Sequence, residues 1–151
     1  MRMYHLTTLI AGVALCVGQS AYAHEAHGEY SAGEPGDPKK PSREIIILMS
    51  EMDYTPAKIE VKRGEQIRFV IRNVGAESHE FLLASTADNL KHAEAMKRNP
   101  HMGHDEPNGL RLTPKAEGSI VWKFSKAGTF EYSCLIPTHR EYGMIGNVVV
   151  K

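Results

Sequence analysis

The stretch Tyr132-Ser-Cys-Leu-Ile-Pro-Thr-His-Arg-Glu-Tyr-Gly-Met144 spaces Cys134, His139 and Met144 at intervals of five. Thiolate, imidazole and thioether form a soft donor set that favours copper over magnesium, calcium or manganese. Pro137, Gly143 and Gly146 suit a tight loop that folds His139 and Met144 back towards Cys134. A second imidazole is needed to complete a His₂Cys trigonal plane with a long axial methionine. His79, which opens an apolar run just after a glycine-containing turn, is the best candidate. Zinc is the rival metal, but structural zinc sites take paired Cys or His ligands, and there is no Cys-x-x-Cys. A Cys–His nucleophile is the other rival. It would need an orienting Asn or Asp and would leave Met144 without a role.

The elements that must position these residues read as strands. Ile45 to Met49 is a short apolar run fit for a strand buried on both faces. Lys58 to Val61 alternates, Arg63-Gly64-Glu65 turns, and Ile67, Phe69 and Ile71 line one face of a half-buried strand. Asn73-Val74-Gly75 breaks it before a strand from His79 to Leu83. Strands resume with Gly118 to Phe124, Gly128 to Cys134 and Gly146 to Lys151. About seven short strands predict an antiparallel β-sandwich of Greek-key type, all-β apart from one inserted helix. That helix starts at Ser85, with Asp88 in place of the usual capping glutamate, and ends at Asn99-Pro100. Its apolar stripe is Ala87, Leu90, Ala93 and Met96, with His92 on the solvated side. A long polar His/Met loop runs from His101 to Pro114.

Three divisions follow. Residues 1–23 combine Arg2, an apolar run from Leu6 to Val17 and Ala21-Tyr22-Ala23, the pattern of a secretory signal peptide cleaved after Ala23. A lipoprotein signal at Cys16 is disfavoured by Leu15 before it. Residues 24–42 read as a flexible His-containing arm, and 43–151 as the folded domain. Processing removes Cys16, so Cys134 is expected to be the only thiol of a mature chain exported to the periplasm. Eighteen basic and 18 acidic residues give zero net charge, which points away from nucleic acid and from an anionic membrane. No membrane anchor is expected after processing, and a monomer is expected.

Phe124-x₃-Gly128-x-Phe130-x-Tyr132-x-Cys134-x₄-His139-x₄-Met144-x-Gly146, ending in Val148-Val149-Val150, resembles the C-terminal half of the cupredoxins. Cys-x₄-His-x₄-Met is similar to the rusticyanin spacing, and Asn73-x₅-His79-x-Phe81 is similar to a cupredoxin first-ligand region. The resemblance covers about residues 44 to 151. It implies one type 1 copper per chain held by His79, Cys134, His139 and Met144, and one-electron transfer with the His139 ring edge as the port. One residue departs from the pattern: Glu80 stands where many cupredoxins carry Asn, Asp or Ser. The backbone N–H there can still bond the cysteine sulfur.

Periplasmic cupredoxins linked to copper tolerance combine such a loop with a His-bearing arm and an inserted Met/His segment. His24 and His27 in the arm, and His101, Met102 and His104 in the loop, are candidate ligands for additional copper. Met49 and Met96 read as core, and Met52 lies three residues after Met49. The expected function is that of a copper-binding redox protein serving copper tolerance; the alternatives are a dedicated electron shuttle to a cytochrome or a copper oxidase or reductase and, ranked last, a small copper oxidase. No catalytic residues are identified.

Overall fold

The computed structural model describes residues 29–100 and 106–151. Ten strands among the described residues form two five-stranded sheets. In chain order these are β1 (Glu34–Pro35), β2 (Arg43–Ser50), β3 (Asp53–Thr55), β4 (Lys58–Val61), β5 (Gln66–Asn73), β6 (His79–Ala84), α1 (Thr86–Arg98), β7 (Gly109–Leu112), β8 (Glu117–Lys123), β9 (Gly128–Ser133) and β10 (Ile145–Val150). One sheet runs β1-β8-β5-β2-β3 and the other β4-β10-β9-β6-β7. The β-sandwich with one helix is therefore the fold, with more strands than the seven that periodicity finds. The additional strands are short (β1, β3 and β7) and carry too few alternating residues to register as a pattern. Pairing is mixed: β2 runs parallel to β5, and β4 parallel to β10.

Alternation places the core between the sheets. Ile47, Met49, Ile67, Phe69, Ile71 and Trp122 project inward from one sheet, and Ile59, Phe81, Leu83, Tyr132 and Val148 from the other. Ile46 is 44% exposed, so β2 is buried on one face and not on both. The outer face of its sheet meets solvent, because α1 covers only the other sheet. There β6 is buried at every position, His79 to Ala84. Leu82 from its outer face packs with Ala93 and Met96 of α1 and with Leu135 of the loop after β9.

Ser85 caps α1, its hydroxyl accepting from the Asp88 N–H (3.1 Å) and donating to the Asp88 carboxylate (2.7 Å). The reciprocal bond of a capping box is not made by Asp88: the Ser85 N–H donates to the Ser31 hydroxyl (2.7 Å) instead. The buried stripe is Asn89, Ala93 and Met96. Leu90 is 51% exposed and Ala87 is exposed, a correction to the periodicity reading. A hydrogen bond from Asn89 to the Glu131 carbonyl (3.5 Å) turns that residue inward instead. His92, expected in solvent, is half-buried.

Residues 29–42, read as part of the arm, lie against the first sheet. β1 pairs with β8, Ala32 is fully buried, and its carbonyl accepts from the Trp122 indole (3.2 Å). Tyr30 meets the Trp122 ring edge-on at 5.3 Å. Trp122 supplies the apolar surface and the donor that a polar Gly/Pro segment cannot provide for itself. Met49 and Met96 are core residues.

Candidate metal centre

Four elements deliver the site. Alternation along β6 sets His79 on the same inward face as Phe81 and Leu83, and alternation along β9 does the same for Cys134 after Phe130 and Tyr132. The turn before β6 is wrapped around Asn73. Its amide donates to the Glu77 carbonyl (2.7 Å) and the Leu112 carbonyl (3.0 Å), and its oxygen accepts from the Gly75 N–H (3.0 Å). The Ala76 N–H is held by the Glu51 carboxylate. The loop after Cys134 closes on itself. The Cys134 N–H donates to the Met144 carbonyl (3.2 Å), and the Met144 N–H donates to the His139 carbonyl (3.1 Å). Gly143 takes φ +101° there, a conformation that favours glycine. Gly146 serves a different need: a Cβ would lie 2.0 Å from the Tyr132 ring.

His79, Cys134 and His139 come together, each offering a donor atom within 4.8 Å of the others. Cys134 Sγ lies 3.3 Å from His139 Nδ1, and the two imidazole centroids are 5.2 Å apart. His79, Cys134 and Met144 are fully buried and His139 nearly so. Among the described residues, both ring nitrogens of His79 are buried without a hydrogen-bond partner, although buried polar groups are ordinarily paired. A metal ion is the partner that would satisfy one of them. Burial lowers the pKa of both histidines, with the neighbouring His139 charge adding to the effect at His79. Neutral imidazole is the ligating form. Burial pushes the Cys134 thiol up to about 12, so it keeps its proton until a cation replaces it. This chemistry fits copper.

Glu80 N–H donates to Cys134 Sγ (3.3 Å), the backbone contact available to any residue at that position. The Glu80 side chain is buried on the outer face and lies 3.7 Å from Arg111, its cross-strand neighbour on β7. Its carboxyl is raised to about 7 by burial, against the Arg111 charge and the Leu135 N–H. The Glu80 carbonyl accepts from the buried Tyr54 hydroxyl (2.5 Å). His139 Nε2 faces the exposed Glu77 carboxylate at 3.6 Å, so one ring nitrogen looks to the sulfur and the other to the surface. Tyr54, Glu77 and the Glu131–Arg140 pair near the site were not singled out by sequence: Tyr54 reaches Glu80 from the opposite sheet, Glu77 meets His139 from a separate turn, and Arg140 pairs with Glu131 on β9. His24, His27, His101, Met102 and His104 lie outside the described residues.

The chain belongs to the plastocyanin/azurin family of copper binding proteins, whose family model matches residues 44–151. It is similar to the copper-resistant cuproprotein CopI of Rubrivivax gelatinosus, with 48% identity over 132 residues, 87% of this chain and 79% of the relative. Pseudomonas aeruginosa CopI, also named as a copper-resistant cuproprotein, is 30% identical across 99% of this chain and 97% of its own. Among solved structures, auracyanin B superposes with a TM-score of 0.65 at 19% identity, covering 82% of this chain and 99% of its own. Reduced auracyanin from Roseiflexus castenholzii gives 0.63 at 20% identity, covering 74% and 99%. These two likenesses bear on the fold.

Proposed function

We propose that this chain is an exported periplasmic redox protein that holds one type 1 copper and serves copper tolerance. His79, Cys134, His139 and Met144 would hold the ion through two imidazoles, a thiolate and a thioether. The observation that carries this reading is the buried His79–Cys134–His139 cluster, with both His79 ring nitrogens lacking a hydrogen-bond partner among the described residues. Copper bound there supplies one-electron Cu(I)/Cu(II) chemistry. The chain's own residues fix the donors in place, exclude water and turn the Nε2 edge of His139 towards the exposed Glu77 carboxylate. Four protein donors leave no open position for a substrate, so the activity is binding and electron transfer, not catalysis. The tolerance role is supported by the relatives named as copper-resistant cuproproteins. Export rests on residues 1–23 with cleavage after Ala23.

Copper titration of the mature protein, followed by visible and electron paramagnetic resonance spectroscopy, tests the site. A thiolate-to-Cu(II) band is expected in the wild type and absent in Cys134→Ser; a colourless wild type refutes the assignment. The endpoint also tests additional copper at His101, Met102 and His104, and at His24 and His27. More than one copper per chain is expected, falling when the first three become alanine.

The second reading, a dedicated shuttle to a cytochrome or a copper oxidase or reductase, draws on the outward Nε2 edge of His139. It expects a respiratory defect in a deletion strain; the tolerance reading expects copper sensitivity with normal respiration.

A further inference from the structure

Most backbone hydrogen bonds of the ligand loop close within it, the bond from the Leu135 N–H to the Glu80 carboxyl being an exception. Besides the bonds joining Cys134, His139 and Met144, the His139 N–H donates to Ile136, the Tyr142 N–H to Thr138 and the Gly143 N–H to Arg140. None of these fixes the loop against the rest of the molecule. Two charged side chains reach from it to the layer formed by α1. Glu141 lies 3.6 Å from Lys97, with both about half-exposed, a contact worth little. Arg140, the residue after His139, is of another kind. One guanidinium nitrogen lies 2.9 Å from Glu131 Oε2, and the other donates to the Ser133 hydroxyl at 2.9 Å. The Arg140 and Glu131 side chains are only 12% and 11% exposed. The second Glu131 oxygen accepts from the Thr86 hydroxyl in the first turn of α1 (2.8 Å).

Strand alternation gives this network its place. Phe130, Tyr132 and Cys134 face the core, so Glu131 and Ser133 face outward under α1. Arg140 therefore grips the back of the strand whose front ends in Cys134. Desolvating both charges is costly, and a buried pair is weak evidence for stability as such; its best-attested use is to select one arrangement. The arrangement selected here is that of the segment carrying His139.

We propose that Arg140 is a positioning residue, which with Glu131 and Thr86 locks the ligand loop to β9 and α1 before any metal arrives. The proposal rests on the reading that this loop holds copper, but its first test needs none. Amide hydrogen exchange is measured on the metal-free full chain for the wild type, Arg140→Gln, Arg140→Lys and Thr86→Val. Arg140→Gln is expected to speed exchange at His139 and Met144 about tenfold or more, the scale of a lost charged hydrogen bond. Amides of Ile67 to Ile71 in β5 should move far less. Thr86→Val should give a smaller acceleration at the same loop amides, and Arg140→Lys should fall between Arg140→Gln and the wild type. In the copper-loaded protein, Arg140→Gln should release metal to a chelator faster, with Arg140→Lys restoring part of the retention. Loop exchange unchanged within about twofold in Arg140→Gln overturns the proposal. So does equal acceleration in β5, the mark of general destabilisation. Should Arg140→Gln fail to fold, Thr86→Val decides, and unchanged loop exchange then overturns it. A wild type that takes up no copper refutes the function and leaves the exchange result standing.

Discussion

Burial acts on the donor residues in one direction. It disfavours charge on His79, on His139 and on Cys134, so the metal-free cluster holds neutral groups in a small space without repulsion. That neutrality lets a soft cluster be assembled by folding alone. Gly146 shows how tightly the packing around it is drawn. The residue lies opposite Tyr132 on β9, and the Tyr132 ring, stacked on Phe81 at 5.2 Å, occupies the space a Cβ would need. Gly146→Ala should cost about 1–3 kcal/mol, the range for overpacking, with the midpoint of urea unfolding of metal-free protein as the measurement. Sequence offered Gly146 as a loop glycine. Its close contact with an aromatic two residues before Cys134 depends on the β9–β10 register.

At the scale of elements, α1 turns the outer face of one sheet into a second, smaller core. Met96 is fully buried there with Leu82, Ala93 and Leu135. Met96→Ala should destabilise the metal-free protein by about 2–4 kcal/mol in urea unfolding, as a core truncation does. It should leave the number of coppers bound per chain unchanged, which separates a packing methionine from a ligand. The helix was legible from its Ser85 cap and its Asn99-Pro100 stop. Its buried stripe was legible only at Ala93 and Met96, because Leu90 competes with Asn89 for the inward position and the Glu131 carbonyl decides between them. β1 was missed for a related reason: a two-residue strand in a Gly/Pro-rich segment forms because Trp122 accepts Ala32 and Tyr30.

Across the whole molecule, exposed ion pairs join distant chain segments, and in the Arg43–Glu65 pair the glutamate side chain is well protected, at 16% exposed. Glu65 accepts from Arg43 Nε (2.6 Å) and from the Lys62 N–H (2.8 Å). The Arg43 hydrogen bond holds its carboxyl below the ordinary carboxylate range, against the opposing effect of burial. A folded-state value depressed in this way adds stability above the unfolded carboxylate pKa. That stability is lost as pH falls through the folded value. Glu65→Gln should therefore lower the melting temperature of metal-free protein at neutral pH, and the difference from wild type should vanish in acid. Since Arg43 is 44% exposed, the neutral-pH effect should stay below about 1 kcal/mol.

The sequence by itself determined the donor types, their intervals in the final loop, the β-sandwich class and the helix, because these depend on composition, period and local capping. It also marked the residue beside the first histidine as unusual. Only the tertiary structure decided that His79 meets Cys134 and His139, since 55 residues separate the first two and strand pairing alone closes that distance. The same holds for Glu80 against Arg111 on β7, and for Arg140 against Glu131 on the back of β9. These contacts arise from which strands lie side by side and which face a helix covers, and neither is written in the spacing of any one segment.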